Sequence, residues 1–225
     1  AFIATLLLAG CAGLKGPVPQ SEIATSKHLG VVSLLSNQFH GVSIGTTVFQ
    51  NSAFEADISH WQINDFAEQE VLRALSTKHP FGVSIMSWAG VEETALEKEE
   101  FWRVAANQHY DRLLVLQPLR SPDMPQFKKG YGFSERSLLG IESRCIYAFY
   151  TVSVYDVATR NRLGWELGGE RPCKVRADMD LPFKPSFADY TPQQQSDMQQ
   201  RLRRQLSDSI RYAIPKVLPD TLSIN

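Results

Sequence analysis

The residues of this chain best able to do chemistry are its three cysteines and five histidines. A cysteine thiolate activated by an imidazole is the arrangement of a nucleophilic enzyme, and Cys145 is a candidate for that role with any of the histidines. The histidines are scattered, however, with no pair four residues apart and no HExxH spacing for zinc. The sequence also has no GxSxG elbow, no P-loop and no GxGxxG motif. No catalytic residue, metal site or cofactor is therefore predicted.

The first cysteine, Cys11, follows an uncharged apolar run over residues 1–10 that ends in Leu8-Ala9-Gly10. A run of roughly 7–15 apolar residues suits the hydrophobic region of a secretion signal, whereas a spanning helix needs about 20. Small residues directly before a cysteine are typical of a bacterial lipoprotein signal, so Cys11 is predicted to carry lipid such as palmitate. An ordinary secretion signal and a buried N-terminal strand are the alternatives.

Residues 11–28 are predicted to form a lipidated tether, because they contain glycines, prolines and small polar residues without apolar periodicity. The missing initiator Met and basic n-region indicate that the sequence begins inside its signal peptide. In the lipoproteins that this signal resembles, Asp after the cysteine tends to retain the protein in the inner membrane, and Ala permits export. Ala12 therefore predicts lipid anchorage in the outer membrane, on its periplasmic face.

Composition predicts one domain over residues 29–225, since 43% of the chain is hydrophobic and its length is that of a single domain. A net charge of −1 argues against a nucleic-acid-binding protein, which would present a strongly basic face. The densest basic run, Arg201, Arg203 and Arg204, is interpreted as a solvated helix face rather than a patch for anionic lipid or cell-wall polymer.

The hydrophobic pattern predicts an α/β fold, a mixed sheet with helices packed on it, in the order β-β-α-β-α-β-loop-β-β-α. The first two strands, over 30–35 and 39–49, are predicted to pair as a hairpin. A helix over 61–75, capped by Asn64 and ended by Pro80, then leads to a strand over 81–86. A second helix is predicted with Glu92 and Glu93 in its first turn and a solvated acidic face at Glu97, Glu99 and Glu100.

The second half of the domain is predicted to hold a fully apolar strand over 113–116 and two long strands, over 145–156 and 162–171, joined by a turn at 156–161. The C-terminal helix begins with Thr191 as cap, Pro192 at N1 and Gln194 as capping-box partner. Pro215 is predicted to end it. Its buried stripe consists of Met198, Leu202, Leu206, Ile210 and Ile214.

An irregular stretch over 118–134 interleaves aromatic residues and lysines with prolines and glycines. Long loops in compact domains are often functional, and aromatic residues beside cations suit a partner contact. The predicted partner-binding residues are Phe127, Lys128, Lys129, Tyr131 and Phe133. The competing interpretation is that the aromatic rings fold back on the core.

Lipidation of Cys11 would leave two cysteines, Cys145 and Cys173, for a periplasmic disulfide. A hairpin in which Val152 faces Trp165 would place Cys145 opposite Pro172. A bulge at Gly168-Gly169 would then bring Cys145 and Cys173 together.

The element order resembles that of a periplasmic α/β domain found in curli-secretion channel lipoproteins, in lipoprotein activators of cell-wall synthases, and in the N-terminal domain of the Tol-Pal translocation protein. The hairpin Val152-Ser-Val-Tyr-Asp156, Thr159 and Leu163-Gly-Trp165 is similar to theirs, although Arg160 replaces a glycine. The segments 44–49 and 61–63, with Asn51 between them, are similar to uncharacterised bacterial envelope lipoproteins. These motifs are structural, so the resemblance assigns no catalytic residue.

Together these features predict a non-enzymatic, lipid-anchored periplasmic interaction module. Its partners would be the membrane, through Cys11, and an envelope protein, peptidoglycan or a second copy of itself. The alternative is an envelope hydrolase or thiol enzyme. A cleft that gathers Cys145, a histidine and a carboxylate would favour the enzyme, whereas a closed core and a disulfide would favour the interaction module.

Overall fold

The computed structural model describes residues 15–75, 81–90, 94–120, 128–138, 141–168 and 180–219. The helices in these ranges are α1 (Gln20–Thr25), α2 (Ile63–Leu75), α3 (Glu99–Asn107) and α4 (Pro192–Val217). The strands are β1 (His28–Ser33), β2 (Gln38–Ile44), β3 (Ser52–Asp57), β4 (Gly82–Ile85), β5 (Arg112–Pro118), β6 (Gly130–Leu138), β7 (Ile141–Asp156) and β8 (Arg162–Gly168).

One long strand, β7, joins the two halves of the sheet, whose order is β3-β2-β6-β7-β5-β1-β4, with β8 also paired to β7. The first part of β7 pairs with β6, and its last part pairs with both β5 and β8, all antiparallel. β1 pairs in parallel with β4 and β5, and β2 pairs in parallel with β6. The predicted α/β fold with a mixed sheet is therefore confirmed.

The helices cover both faces of the sheet. α2 and α4 pack on one face over the larger apolar core, and α3 packs on the other over a smaller one. The strand β5 serves both cores, because Leu114 and Leu116 enter the larger one while Leu113 and Val115 enter the smaller one. This is the environment expected of a fully apolar strand in a sheet that is covered on both faces.

The predicted hairpin between the first two strands is wrong. β1 lies between β4 and β5, and β2 instead forms a hairpin with β3, a strand that the sequence pattern did not predict. β1 is buried from Leu29 to Ser33, which suits a central position in a parallel layer. β3 is an edge strand with only Phe54 and Ala56 half-buried, so its hydrophobic pattern is weak.

The expected tether is also corrected from residue 15 onward. Gly16 and Trp165 exchange two backbone hydrogen bonds of 3.1 and 3.0 Å, and the Val18 N–H donates to the Val217 carbonyl. Val18 and Ile23 are buried in the larger core, and this burial holds residues 15–28 on the domain. Residues 1–14, which include the predicted lipid site Cys11, lie outside the described residues.

Two helix starts differ from the prediction. Asn64 lies inside α2 rather than at its cap; its Oδ1 accepts from Ser33 Oγ at 2.7 Å and its Nδ2 donates to the Leu35 carbonyl at 2.8 Å. Asn64 thus fixes the end of β1. Helix α3 begins at Glu99, so Glu99 and not Glu92 or Glu93 lies in its first turn; residues 91–93, like Pro80, are outside the described part.

The C-terminal helix begins as predicted, with a reciprocal capping box between Thr191 and Gln194 and with Pro192 at N1. Its predicted stripe is buried throughout. The helix does not end at Pro215, however, but continues through it to Val217. Proline removes one backbone donor without forbidding a further half-turn when the adjoining residues are buried.

The long hairpin has a register one residue away from the predicted one. Val152 pairs with Glu166, and Ser153, not Val152, pairs with Trp165. The difference arises from an irregularity between Val154 and Tyr155, next to the turn. The described part of β8 ends at Gly168. Gly169, the second residue of the predicted bulge, and Cys173 lie outside the described residues.

Candidate functional site

The predicted partner-binding aromatic residues are not an exposed surface. Tyr131 and Phe133 lie in β6 and are 1% and 0% exposed. Phe133 packs against Phe183 and Tyr190, with ring centroids 6.4 Å apart in both contacts. The expectation of exposure is therefore wrong for these two residues. β6 lies between β2 and β7, and the side chains of Tyr131 and Phe133 point into the larger core. Phe127 lies outside the described residues.

The two predicted lysines remain nearer the surface. The Lys128 side chain is exposed, and its Nζ lies 3.8 Å from Glu55 Oε1 on the edge strand β3. Lys129 is half-buried. The predicted partner contact thus loses the exposed rings of Tyr131 and Phe133 on which it depended.

The residues of the thiol-enzyme alternative do not converge in the described part of the chain. Cys145 is buried and disulfide-bonded, which removes it as a free nucleophile. The described histidines are dispersed: His28 contacts Ser84 Oγ at 3.0 Å, and His40 lies 3.5 Å from Glu55. Within the described ranges, no group of three His, Cys, Asp or Glu side chains could hold a metal ion.

A charged groove of about 490 Å³ lies where α3, the start of β5 and the β7–β8 turn meet. Arg112 Nη1 lies 2.6 Å from Asp156 Oδ2, and its Nη2 lies 2.8 Å from Glu22 Oε2. Across the same groove, Arg160 Nη2 lies 2.6 Å from Glu99 Oε1. Arg112 and Arg160 are thus paired with carboxylates of the protein itself and are not left unpaired for a ligand.

The β7–β8 turn is ordered by Asp156. Its Oδ1 accepts hydrogen bonds from the backbone N–H and the hydroxyl of Thr159, at 2.7 and 2.9 Å. Burial opposes ionisation of Asp156, but these hydrogen bonds and the charge of Arg112 outweigh it, and the pKa of Asp156 is lowered. Arg160 follows with φ of 61°, the left-handed conformation that favours glycine. This is the position at which the resembling hairpins carry glycine.

A second surface feature, the β2–β3 tip (residues 45–51), was not predicted as a site. Its Phe49 side chain is 96% exposed. The backbone around it is fixed, because the Gly45 N–H donates to Asn51 Oδ1 at 3.1 Å and the Thr47 N–H donates to Gln50 Oε1 at 3.3 Å. Only glycine fits at position 45, where an added Cβ would lie 2.3 Å from Gln50 Cβ.

The sequence did contain a signal for this tip. Gly45 and Asn51 are residues typical of turns, but the β-branched residues of 44–49 predict a continuous strand. The turn depends on side-chain hydrogen bonds from Asn51 and Gln50, which propensity does not reveal.

No helix in the described part of the chain has both the length and the apolar character to cross a bilayer. No family model matches the chain, and no curated protein matches it in sequence. Two solved structures of PelC dodecamers from Paraburkholderia phytofirmans are weakly similar. One shares 13% identity, covers 86% of this chain and 92% of that chain, and has a TM-score of 0.33. The other shares 16% identity, covers 88% and 94%, and has a TM-score of 0.31. Similarity at this level carries no inference about this chain.

Proposed function

We propose that this protein is a lipid-anchored interaction module of the bacterial envelope, held through Cys11 on the periplasmic face of the outer membrane, which binds an envelope protein through the β2–β3 tip. The single observation that carries the binding part is Phe49, a phenylalanine 96% exposed on a turn fixed by side-chain hydrogen bonds.

A lone exposed apolar residue needs no special explanation, but Phe49 differs from a residue on a mobile loop. The turn that presents it is already ordered, so a partner would bury the ring without ordering the backbone first. Fully burying a phenylalanine side chain is worth about 1.5–3 kcal/mol. Aromatic residues that fill a pocket on the partner often carry most of the energy of an interface.

The anchoring part of the proposal is supported by the lipoprotein-type sequence before Cys11. Labelling cells with a tagged fatty acid tests it directly. We expect the wild-type chain to carry label and to pellet with membranes, and the Cys11→Ala variant to do neither. Label retained by Cys11→Ala would overturn the assignment of the lipid site.

The binding part is tested by crosslinking in intact envelopes. We expect Phe49→Ala to abolish the main crosslinked species while leaving the melting temperature unchanged, because the ring makes little contact with its own chain. The matched control is Tyr212→Ala, which removes the exposed aromatic ring on α4 and should keep the crosslink. An unchanged crosslink with Phe49→Ala would place the binding surface elsewhere. A crosslinked species of twice the chain's mass would identify the partner as a second copy.

A further inference from the structure

Two pairs of an aromatic ring and a cation lie on β8 and on α4, which packs against it. The guanidinium carbon of Arg162 lies 5.1 Å from the ring centroid of Trp165, and Lys216 Nζ lies 3.6 Å from that of Tyr212. Tyr212 is 49% exposed and Trp165 is half-buried. In the described part of the chain, Tyr212 and Phe49 are the exposed large hydrophobic residues.

The first described residue, Lys15, lies at this edge. Its Nζ is 3.0 Å from Glu166 Oε1, and the next residue, Gly16, pairs with Trp165 through two backbone hydrogen bonds. Burial opposes ionisation of Glu166, but the hydrogen bond from Leu167 and the nearby cations Lys15 and Lys216 lower its pKa. Lys216 on α4 therefore faces the same carboxylate as Lys15.

These residues define what we call the edge surface. Because neighbouring side chains alternate along a strand, Trp165 and Glu166 point to opposite sides of β8, and the surface wraps around the edge of the strand. Glu166 is the carboxylate that lies near these cations, beside Lys15 and Lys216. The edge surface consists of Lys15, Arg162, Trp165, Tyr212 and Lys216.

The length of chain before Lys15 decides what this surface can face. Three residues lie between Cys11 and Lys15, so their Cα atoms are four residue steps apart, which is at most about 14 Å in an extended chain. A lipid on Cys11 would therefore hold the edge surface within that distance of the bilayer, too near for the domain to rotate freely.

We propose that the edge surface lies against lipid headgroups, with Trp165 and Tyr212 at the level of the headgroups and Lys15, Arg162 and Lys216 near their phosphates; this inference rests on the proposed lipidation of Cys11. Trp and Tyr favour the membrane–water interface because each combines an apolar ring with a polar group. Lysine and arginine next to them are attracted to the anionic phosphates of the headgroups.

The test uses the lipidated full-length protein, reconstituted into vesicles of phosphatidylethanolamine with a minority of phosphatidylglycerol, with or without brominated acyl chains. Bromine quenches tryptophan fluorescence at short range. We expect partial quenching of the wild-type protein and loss of that quenching in Trp165→Phe. Of the other three tryptophans, Trp61 and Trp102 are buried, and Trp88 packs against Phe101 over the smaller core, on the other face of the sheet from α4. A variant with the same quenching as wild type would overturn the proposal.

A second pair of variants keeps the test independent of Trp165. Tyr212→Trp should increase the quenched fraction, whereas Phe49→Trp should add fluorescence that is not quenched. Ile44, at the start of the β2–β3 tip, is aligned through Arg136 with Ser143, whereas Trp165 pairs with Ser153. These positions are ten residues apart along β7, which is about 34 Å. Equal quenching of Tyr212→Trp and Phe49→Trp would show that no face is preferred and would overturn the proposal.

The two proposals fail in different ways. A full-length chain whose mass shows no lipid, or which separates from the vesicles on flotation, contradicts lipidation of Cys11 and with it the proposed anchor. A lipidated chain that floats with the vesicles but shows no quenching contradicts the edge-surface proposal alone.

Discussion

Arg112 and Asp156 face each other across the β5–β7 ladder, and the guanidinium of Arg112 lies 2.6 Å from the carboxylate of Asp156. The same guanidinium reaches Glu22 of α1 at 2.8 Å. Only 11% of the Arg112 side chain is exposed, so water screens these interactions weakly. One residue thus connects the N-terminal segment to the end of the sheet.

Replacing Arg112 with methionine should destabilise the protein strongly, because Asp156 and Glu22 would lose their common cation while remaining partly buried. We expect a loss of about 2–4 kcal/mol in the free energy of unfolding, measured by urea denaturation. The matched control is Arg103→Met, since Arg103 is 67% exposed and lies 3.8 Å from an exposed Glu100; that variant should change stability by less than about 0.5 kcal/mol. Equal effects of the two variants would contradict the special role of Arg112.

The free energy of unfolding should depend on pH because of Glu68 on α2. Burial raises the pKa of Glu68 from 4.5 to about 7, and this effect exceeds that of the hydrogen bond from the Ser33 N–H, which is 2.9 Å long and lowers the pKa. Between these two values the folded protein binds a proton that the unfolded chain has released. Stability should therefore fall as the pH rises from about 4.5 to about 7.

Glu68→Gln should remove this contribution, because glutamine keeps an oxygen that accepts from Ser33 and carries no titratable proton. We expect the variant to be more stable than wild type at pH 8 by on the order of 1 kcal/mol, after allowance for solvent screening, and to match it at pH 4. Melting curves across this range provide the measurement. A Glu68→Gln variant that runs parallel to wild type at every pH would show that Glu68 ionises normally.

The features that the sequence predicted correctly are those that one element encodes by itself. The Thr191–Gln194 capping box and the α4 stripe from Met198 to Ile214 follow from residues within one helix, and they are present as predicted. The face of β7 that bears Tyr150 and Val152 also follows from simple alternation. Local periodicity reports burial because it depends only on the geometry of one helix or strand.

The features that were missed depend on contacts between distant segments. β1 could pair with β2 or with β4 and β5, and nothing within residues 28–44 chooses between them. Phe133 was predicted to be exposed because it stands among glycines, yet it is buried once β6 enters the sheet. The exposure of Phe49 was missed for the converse reason, since a β-branched run looked like a buried strand until a turn interrupted it.

Phe133→Ala distinguishes a structural aromatic residue from a binding one. The ring is 0% exposed and packs against Phe183 and Tyr190. We therefore expect the variant to lower the free energy of unfolding by about 3–5 kcal/mol and to lower the melting temperature. The envelope crosslink should be retained in the fraction that folds. Lys128→Ala, at the exposed start of the same segment, is the control and should leave the melting temperature unchanged. A Phe133→Ala variant that melts like wild type but loses the crosslink would show that Phe133 binds a partner.

Leu206→Ala tests the packing of α4 on the sheet. Leu206 is 0% exposed in the middle of the helix, so truncation should leave a cavity and lower the free energy of unfolding by about 2–5 kcal/mol. Arg204→Ala changes an exposed position on the same helix and should have little effect. Chemical denaturation of both variants measures the difference. Similar midpoints for Leu206→Ala and wild type would mean that α4 does not close the core.

The register of the long hairpin sharpens the disulfide prediction. Tyr150 pairs with Gly168, and continuing the same register five residues further would pair Cys145 with position 173 without the bulge that the sequence had required. Cys145 is disulfide-bonded, and its partner lies outside the described residues. The Cys145–Cys173 disulfide stays a prediction, and it is now based on the observed register between β7 and β8.

Peptide mapping of the unreduced protein by mass spectrometry decides the pairing. We expect one linked peptide pair that contains Cys145 and Cys173, and we expect Cys173→Ser to release a titratable thiol at Cys145 after unfolding. Loss of the crosslink should lower the free energy of unfolding by about 2–5 kcal/mol, since the unfolded chain would no longer be constrained. A linked peptide that joins Cys145 to Cys11 would contradict this pairing. It would also contradict the lipid anchor, because a cysteine in a disulfide has no thiol to carry lipid.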